Sequence, residues 1–366
     1  MKKSILSILA IATLVFTSCS SDNGDDNKKS SFVLTASDLK GDITDGTVTL
    51  KASDEYTLTG ALVVRSGASL KIPAGTTIKS SATASAQSLY IAVERGAKIF
   101  IEGEANNPVV MTSGKSSPSQ SDWGGLVICG DGITNVGTDA TSEVASLKYG
   151  GANNNDSSGS IEFLKISYTG ANNGSDKEFN GVSFFAVGSG TVVENIYTFE
   201  SGDDGIEFFG GAVAATNLRI ENSYDDSLDF ADGFVGSVTN VYIKGVTKAG
   251  IEGSNNGEDT AALPLTDAKI SNVSIIKGEG FGASEQAINL KEGTGKQAYT
   301  NLFAEGTASF AKISSDSNTT ARIAAGDVKV NGSAFVSANN TIADYVSTET
   351  GAGNGATVPT WATKIQ

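Results

Sequence analysis

The chain has 366 residues, with 41 acidic side chains against 26 basic ones, a formal charge of −15, two cysteines and no histidine. Without imidazole, Ser-His-Asp and Cys-His catalysis and the usual zinc sites are excluded, whereas hard cations bound through oxygen stay open. So acidic a surface also repels nucleic acid and anionic lipid.

The N-terminus reads as an export signal over residues 1–18: Lys2 and Lys3, an apolar run from Ile5 to Phe16, then small residues up to Cys19. It is too short and wrongly flanked for a spanning helix. Phe16-Thr17-Ser18-Cys19 resembles a bacterial lipobox. That resemblance implies cleavage before Cys19, diacylation of its thiol and a stable membrane anchor; the alternative is a secretory signal with a chance cysteine. Loss of Lys2 and Lys3 would move the charge from −15 to −17. Residues 19–31 form an acidic tether that nothing apolar could fold. Its stretch Ser20–Asn27 resembles the export tag of Bacteroidota surface lipoproteins, which implies the outer leaflet of the outer membrane; a plain tether facing the periplasm is the alternative. Only Cys129 then remains, so stability must come from a large core and not from an internal disulfide.

Residues 32–366 lack helical periodicity and are rich in Gly, Ser, Thr and Asn with short apolar alternations, an all-β composition. Phe32 to Leu62 is expected to cap one end of the core. Leu70–Ser80, Leu89–Ser113 and Asp122–Gly132 read as opening turns, with Gly67, Gly75 and Gly96 at tight corners and Trp123 packed at another. The phrase Asn-apolar-x-apolar then recurs from Asn195, Asn217, Asn240, Asn272 and Asn301, at intervals of 22, 23, 32 and 29 residues. A constant core with variable loops is the mark of a solenoid whose turns pair only with their neighbours. The expected fold is a single right-handed parallel β-helix in which the asparagines form an amide ladder at one corner. Beyond Asn318 the repeat is lost and the chain is expected to cover the other end.

Aligning one strand across the turns gives Val182-Ser183-Phe184, Ile206-Glu207-Phe208, Leu228-Asp229-Phe230, Ile251-Glu252-Gly253 and Ile288-Asn289-Leu290. With period two the middle residues point outward, so Ser183, Glu207, Asp229, Glu252 and Asn289 form an external column. The pairs Asp203-Asp204 and Asp225-Asp226 lie at the turn just before it. Two unit charges about 5 Å apart repel by roughly 0.8 kcal/mol even in water. Calcium is the natural offset, with Asp203, Asp204, Glu207, Asp225, Asp226 and Asp229 as candidate ligands. The alternatives are raised carboxyl pKa values, hydration, or capping of turn amides, above all by Asp203 and Asp225. Glu252, Asn289 and an outward Phe209 are candidate contacts for a bound ligand. Phe185 and Phe234 could join them, although phenylalanines here ordinarily stack in the core.

Asn222 to Phe230 (NSYDDSLDF) resembles the calcium motif of β-helix pectate lyases that use a lysine base. The resemblance implies that Asp225, Asp226 and Asp229 hold the ion together with Asp203 or Asp204 of the earlier turn. It covers about 30 residues, and the strand that should supply the lysine offers Glu252 and then Asn289. Lys248, Lys277 and Lys291 are near in sequence but off the column, so no base is placed for elimination chemistry. Gly202-Asp203-Asp204 resembles the GDD of polygalacturonase-like hydrolases, which also need the histidine that is missing here. Over most of its length the chain is similar to Bacteroidota β-helix lipoproteins that share DWGGL, DDGIEFFGG and DDSLD, some of them named multidrug transporters. No apolar run long enough for a transporter's spans follows the signal. The leading expectation is an outer-membrane, cell-surface lipoprotein binding calcium and an extracellular polysaccharide. The alternatives are a calcium-dependent polysaccharide lyase or glycoside hydrolase, and a docking component beside a TonB-dependent receptor.

Overall fold

A computed structural model describes residues 29–175, 177–278, 286–336, 338, 340–347, 353 and 355–365. The export signal and Cys19 therefore lie outside the described residues. Within them, 23 strands join one continuous ladder, and nearly every pairing is parallel to the equivalent strand of the next turn. Each turn contributes three strand segments, as in Val192–Phe199, which bends at Asn195, followed by Ile206–Phe209. The chain is a parallel β-helix, as its repeats predict.

The bend explains the asparagines. Asn195, Asn217, Asn240, Asn272 and Asn301 all have φ between 54° and 62°. Asn tolerates this left-handed conformation better than other residues with a Cβ. From Asn217 onward each amide donates from Nδ2 to Oδ1 of the asparagine one turn earlier, at 2.9–3.1 Å. An amide carries donor and acceptor together, so identical side chains can satisfy one another along a column. Inside the coil, apolar residues from Leu39 to Tyr345 form one continuous core. Trp123 is buried within it and donates from Nε1 to the Ser167 carbonyl at 2.8 Å, the corner role expected of it.

The ends depart from expectation in part, although Ile323, Phe335 and Tyr345, beyond Asn318, do pack on the core as its expected cover. Strand Leu39–Ile43 already pairs in parallel with Glu55–Val64, so the cap is only the segment before it, where Phe32, Leu34 and Ala36 lie on the core. At the far end, Val328–Val330 adds one more parallel strand to Lys296–Glu305 beyond the helix Ser317–Ala325. The described C-terminal residues then run back along the outside of the coil. Ser347 N–H donates to Leu302 O, the carbonyls of Ala356 and Ala362 accept from Tyr242 and Arg219, and that of Lys364 accepts from Asn106 N–H. Ala356 of this strap borders an open pocket of about 570 Å³ whose lining includes Glu221, Lys244, Lys277 and Glu305.

The outward face of the third sheet is what positions the site. One residue per turn stacks in register there: Val63, Ala92, Val127, Ser183, Glu207, Asp229, Glu252, Asn289 and Lys312. Its apolar half is covered by inserted chain, where Val144, Leu147, Tyr149 and Phe179 pack on Val63, Ala92 and Val127 in a second hydrophobic cluster. The inserted residues stop at the charged half and stand as its wall. Among the described residues, no helix is long and apolar enough to cross a membrane.

Breaking the amide ladder at its middle tests this account. Asn240→Ala removes one donated and one accepted bond, each contributing about 1 kcal/mol, and places a Cβ-bearing residue with no side-chain amide at φ 61°. A loss of about 3 kcal/mol in urea unfolding is expected, and Asn240→Gly should lose about 1 kcal/mol less because its backbone strain is relieved.

Candidate functional site

The charged half of the column forms the floor of a cleft of about 370 Å³. Glu143, Lys177 and Glu178 of the inserted segments rise on one side, and Lys291 and Lys312 close the other. A second basin of about 460 Å³ continues past Ala231 to Asp232, Asn256 and Glu258. The column thus points out of the coil as expected, yet it is not an open external face: Glu207, Asp229 and Glu252 are 8%, 7% and 4% exposed.

The doubled acidic phrase stacks in register. Glu207 sits over Asp229, and Asp204 over Asp226, whose backbone N–H donates to Asp204 Oδ1 at 2.9 Å. Asp204 N–H in turn donates to Asn180 Oδ1 at 3.1 Å. Backbone capping therefore falls to Asn180 and Asp204, not to Asp203 and Asp225. The reason is position: the second aspartate of each pair faces the neighbouring turn, while the first turns toward the cleft and is only half-buried. Asn180 also donates to Glu207 Oε2 at 2.6 Å. Lys248 holds Asp225 at 2.6 Å, and Lys291 and Asn289 both hold Glu252, the latter at 2.5 Å.

Nine carboxylates nevertheless line the cleft against four lysines. Burial raises Asp204, Glu207, Asp226 and Asp229 well above the usual carboxylate range, and the strongest charge repulsion adding to it comes from Asp203, Glu143, Glu252 and again Glu252, respectively. Asp203 is pushed up to about 7 by burial and by Asp225, and Asp232 to about 6 by burial and Glu143. Asp226 Oδ1 and Asp229 Oδ1 are buried with no hydrogen-bond partner among the described residues. Two sets of oxygens, from Asp203, Asp204 and Asp225 and from Asp204, Glu207 and Asp229, each lie within 4.8 Å of one another. Two charges at that spacing repel by about 3.5 kcal/mol at an effective dielectric of 20. An all-oxygen donor set with orphaned buried atoms fits a hard divalent cation.

Of the candidate ligand contacts, Glu252 and Asn289 line the cleft and bond each other. Phe209 faces out of the coil but stacks on Phe185 at 4.1 Å beneath the inserted chain, leaving it 8% exposed at the edge of the second basin. Phe185 is covered with it, and Phe234 belongs to the inner core. The reading that no lysine enters the column is corrected by Lys312, which stands one turn past Asn289 in strand Ser309–Ile313. Lys248 and Lys291 also reach the cleft, whereas Lys277 lines the open pocket beside the strap. Lys312 was readable from Ala311-Lys312-Ile313, which repeats the pattern of Ile288-Asn289-Leu290. Glu143, Lys177 and Asn180 carried no such signal, because insertions have no repeat to index them.

A family model described as a pectate-lyase-like β-helix domain matches residues 41–366. Among solved structures, the Dettilon tailspike protein is similar at 13% identity and a TM-score of 0.27, over 71% of this chain and 55% of the tailspike, so the match spans about half of that protein. No curated protein matches.

The buried carboxyls fix the sign of a pH effect. Their folded values lie above their unfolded ones, so the folded chain binds the extra protons and stability falls as pH rises from about 4 through about 7. In chelator, thermal unfolding should occur several degrees lower at pH 8 than at pH 5, and Asp229→Asn should flatten that slope.

Proposed function

The chain belongs to the pectate-lyase-like β-helix family, and from that premise we propose that its cleft binds calcium and, beside the ion, an extracellular polysaccharide. We place this activity at the outer-membrane surface, with the domain held by acyl chains on Cys19. The observation that carries the reading is the pair of buried carboxylate oxygens on Asp226 and Asp229 that lack a partner among the described residues, in a cleft where carboxylates outnumber lysines. A bound cation would offset the repulsion that the stacked carboxylates otherwise hold, and would present positive charge to an acidic sugar. Glu252 and Asn289 lie on the same floor, where they can accept from and donate to hydroxyls.

Calorimetric titration of the purified protein with calcium is expected to give saturable binding, abolished in Asp225→Ala/Asp229→Ala. A flat titration with an unchanged melting temperature would overturn the reading and favour a docking surface for a partner such as a TonB-dependent receptor.

Lys312 supports a second reading, a calcium-dependent lyase of polyuronates. It continues the acidic column, lines the cleft and has no ion pair among the described residues. In that chemistry the amine takes the C5 proton of a uronate, the electron pair forms the C4–C5 double bond and the C4 glycosidic oxygen departs, with the cation drawing charge from the carboxylate. Incubation with polygalacturonate and calcium should then release unsaturated, ultraviolet-absorbing products that Lys312→Ala abolishes while calcium binding persists. Absence of such products with the unmodified chain would leave binding alone.

A further inference from the structure

We propose that the cleft holds two divalent cations side by side, with Asp204 as the carboxylate they share. The inference rests on the cation-binding reading of the cleft and adds the number and arrangement of the ions. Oxygens around one calcium lie about 2.3–2.6 Å from it, so two ligands of the same ion are at most about 5 Å apart. The oxygens of Asp203, Asp204 and Asp225 meet that limit, as do those of Asp204, Glu207 and Asp229. Among the described residues no single set of that reach takes in all five side chains, and Asp204 is the member common to both.

Two further observations point the same way. Asp229 Oδ1, on a member of the second set, is unpartnered on a side chain only 7% exposed, and Asp226 Oδ1, in the same cleft, is unpartnered at 5%. One ion at the first set would leave the Asp229 oxygen orphaned; one at the second would leave Asp203 and Asp225 facing each other with only Lys248 between the charges. The charge balance agrees. The cleft is lined by nine carboxylates and four lysines, a net of five negative charges when all are ionised. One divalent ion then leaves three negative charges in a largely buried site, and two ions leave one.

The two sets also come from different parts of the repeat. Asp203 and Asp225 belong to the turns before the strands, while Glu207 and Asp229 belong to the strands themselves. Asp204 alone reaches both, because its backbone is fixed by Asn180 on one side and its Oδ1 holds the Asp226 amide on the other.

Calcium bound by the full-length protein is counted by equilibrium dialysis with elemental analysis, in buffer with physiological potassium. Two ions per chain are expected. One ion would overturn the shared-carboxylate arrangement while leaving the cation-binding reading intact, and none would overturn both. Asp203→Asn/Asp225→Asn and Glu207→Gln/Asp229→Asn should each retain one ion, and Asp204→Asn should weaken both sites by about ten-fold or more. Loss of both ions from either double variant would mean one site, not two. These amide replacements keep side-chain volume and remove like-charge repulsion, so the metal-free variants should melt no lower than the parent, which separates a lost ligand from a lost fold.

Discussion

The structure depends on one constraint: each strand residue of a turn lies directly over its counterpart in the turn before, at the spacing of parallel strands, about 4.8 Å. Side-chain chemistry decides what such stacking does. Amides gain, because Asn217 and its neighbours donate and accept at once. Aromatic rings gain as well, as in the Phe184–Phe208 stack at 5.0 Å and the Phe185–Phe209 stack at 4.1 Å. An ionised carboxylate only accepts, so Glu207 over Asp229 over Glu252 gains nothing from its own kind. Another acidic ladder, Glu102–Glu162–Glu194, faces solvent, which can hydrate its charges, whereas Glu207, Asp229 and Glu252 are buried and need a partner from outside the ladder.

The same register separates the covered half of the third sheet from the working half. Val63, Ala92 and Val127 attract the inserted chain because burying them removes apolar surface from water. From Glu207 onward the column is charged, and the cover ends there. The wall of the cleft is thus a consequence of where the column changes from apolar to acidic. Phe209 sits at that boundary: outward like Glu207, but stacked under the cover like Phe185.

How much of this was legible in the sequence follows from the same rule. The fold and the five outward residues from Ser183 to Asn289 could be read because the asparagine phrase gives a coordinate along the axis and period two gives a direction. The depth of the site could not, since burial of Glu207 comes from insertions outside the repeat. Nor could the division of labour within each aspartate pair, because Asp203 and Asp204 differ only in which way a turn directs them. Lys312 carries a weaker signal of its own: the asparagine phrase stops at Asn301, but the strand pattern it indexes continues for one more turn in Ala311-Lys312-Ile313.

The column also sets a polarity along the axis. It passes from neutral Ser183 through three acids to Asn289 and ends at cationic Lys312, and each step is one turn. Asn289 is the transition, donating its amide to Glu252 on the acidic side. Over the two turns from Glu252 to Lys312, about 10 Å at strand spacing, the floor changes from a surface that attracts cations to one that attracts anions. With a cation bound as proposed, a polymer with regularly placed negative groups would meet that ion at one end of the span and Lys312 at the other, which a single small anion could not do.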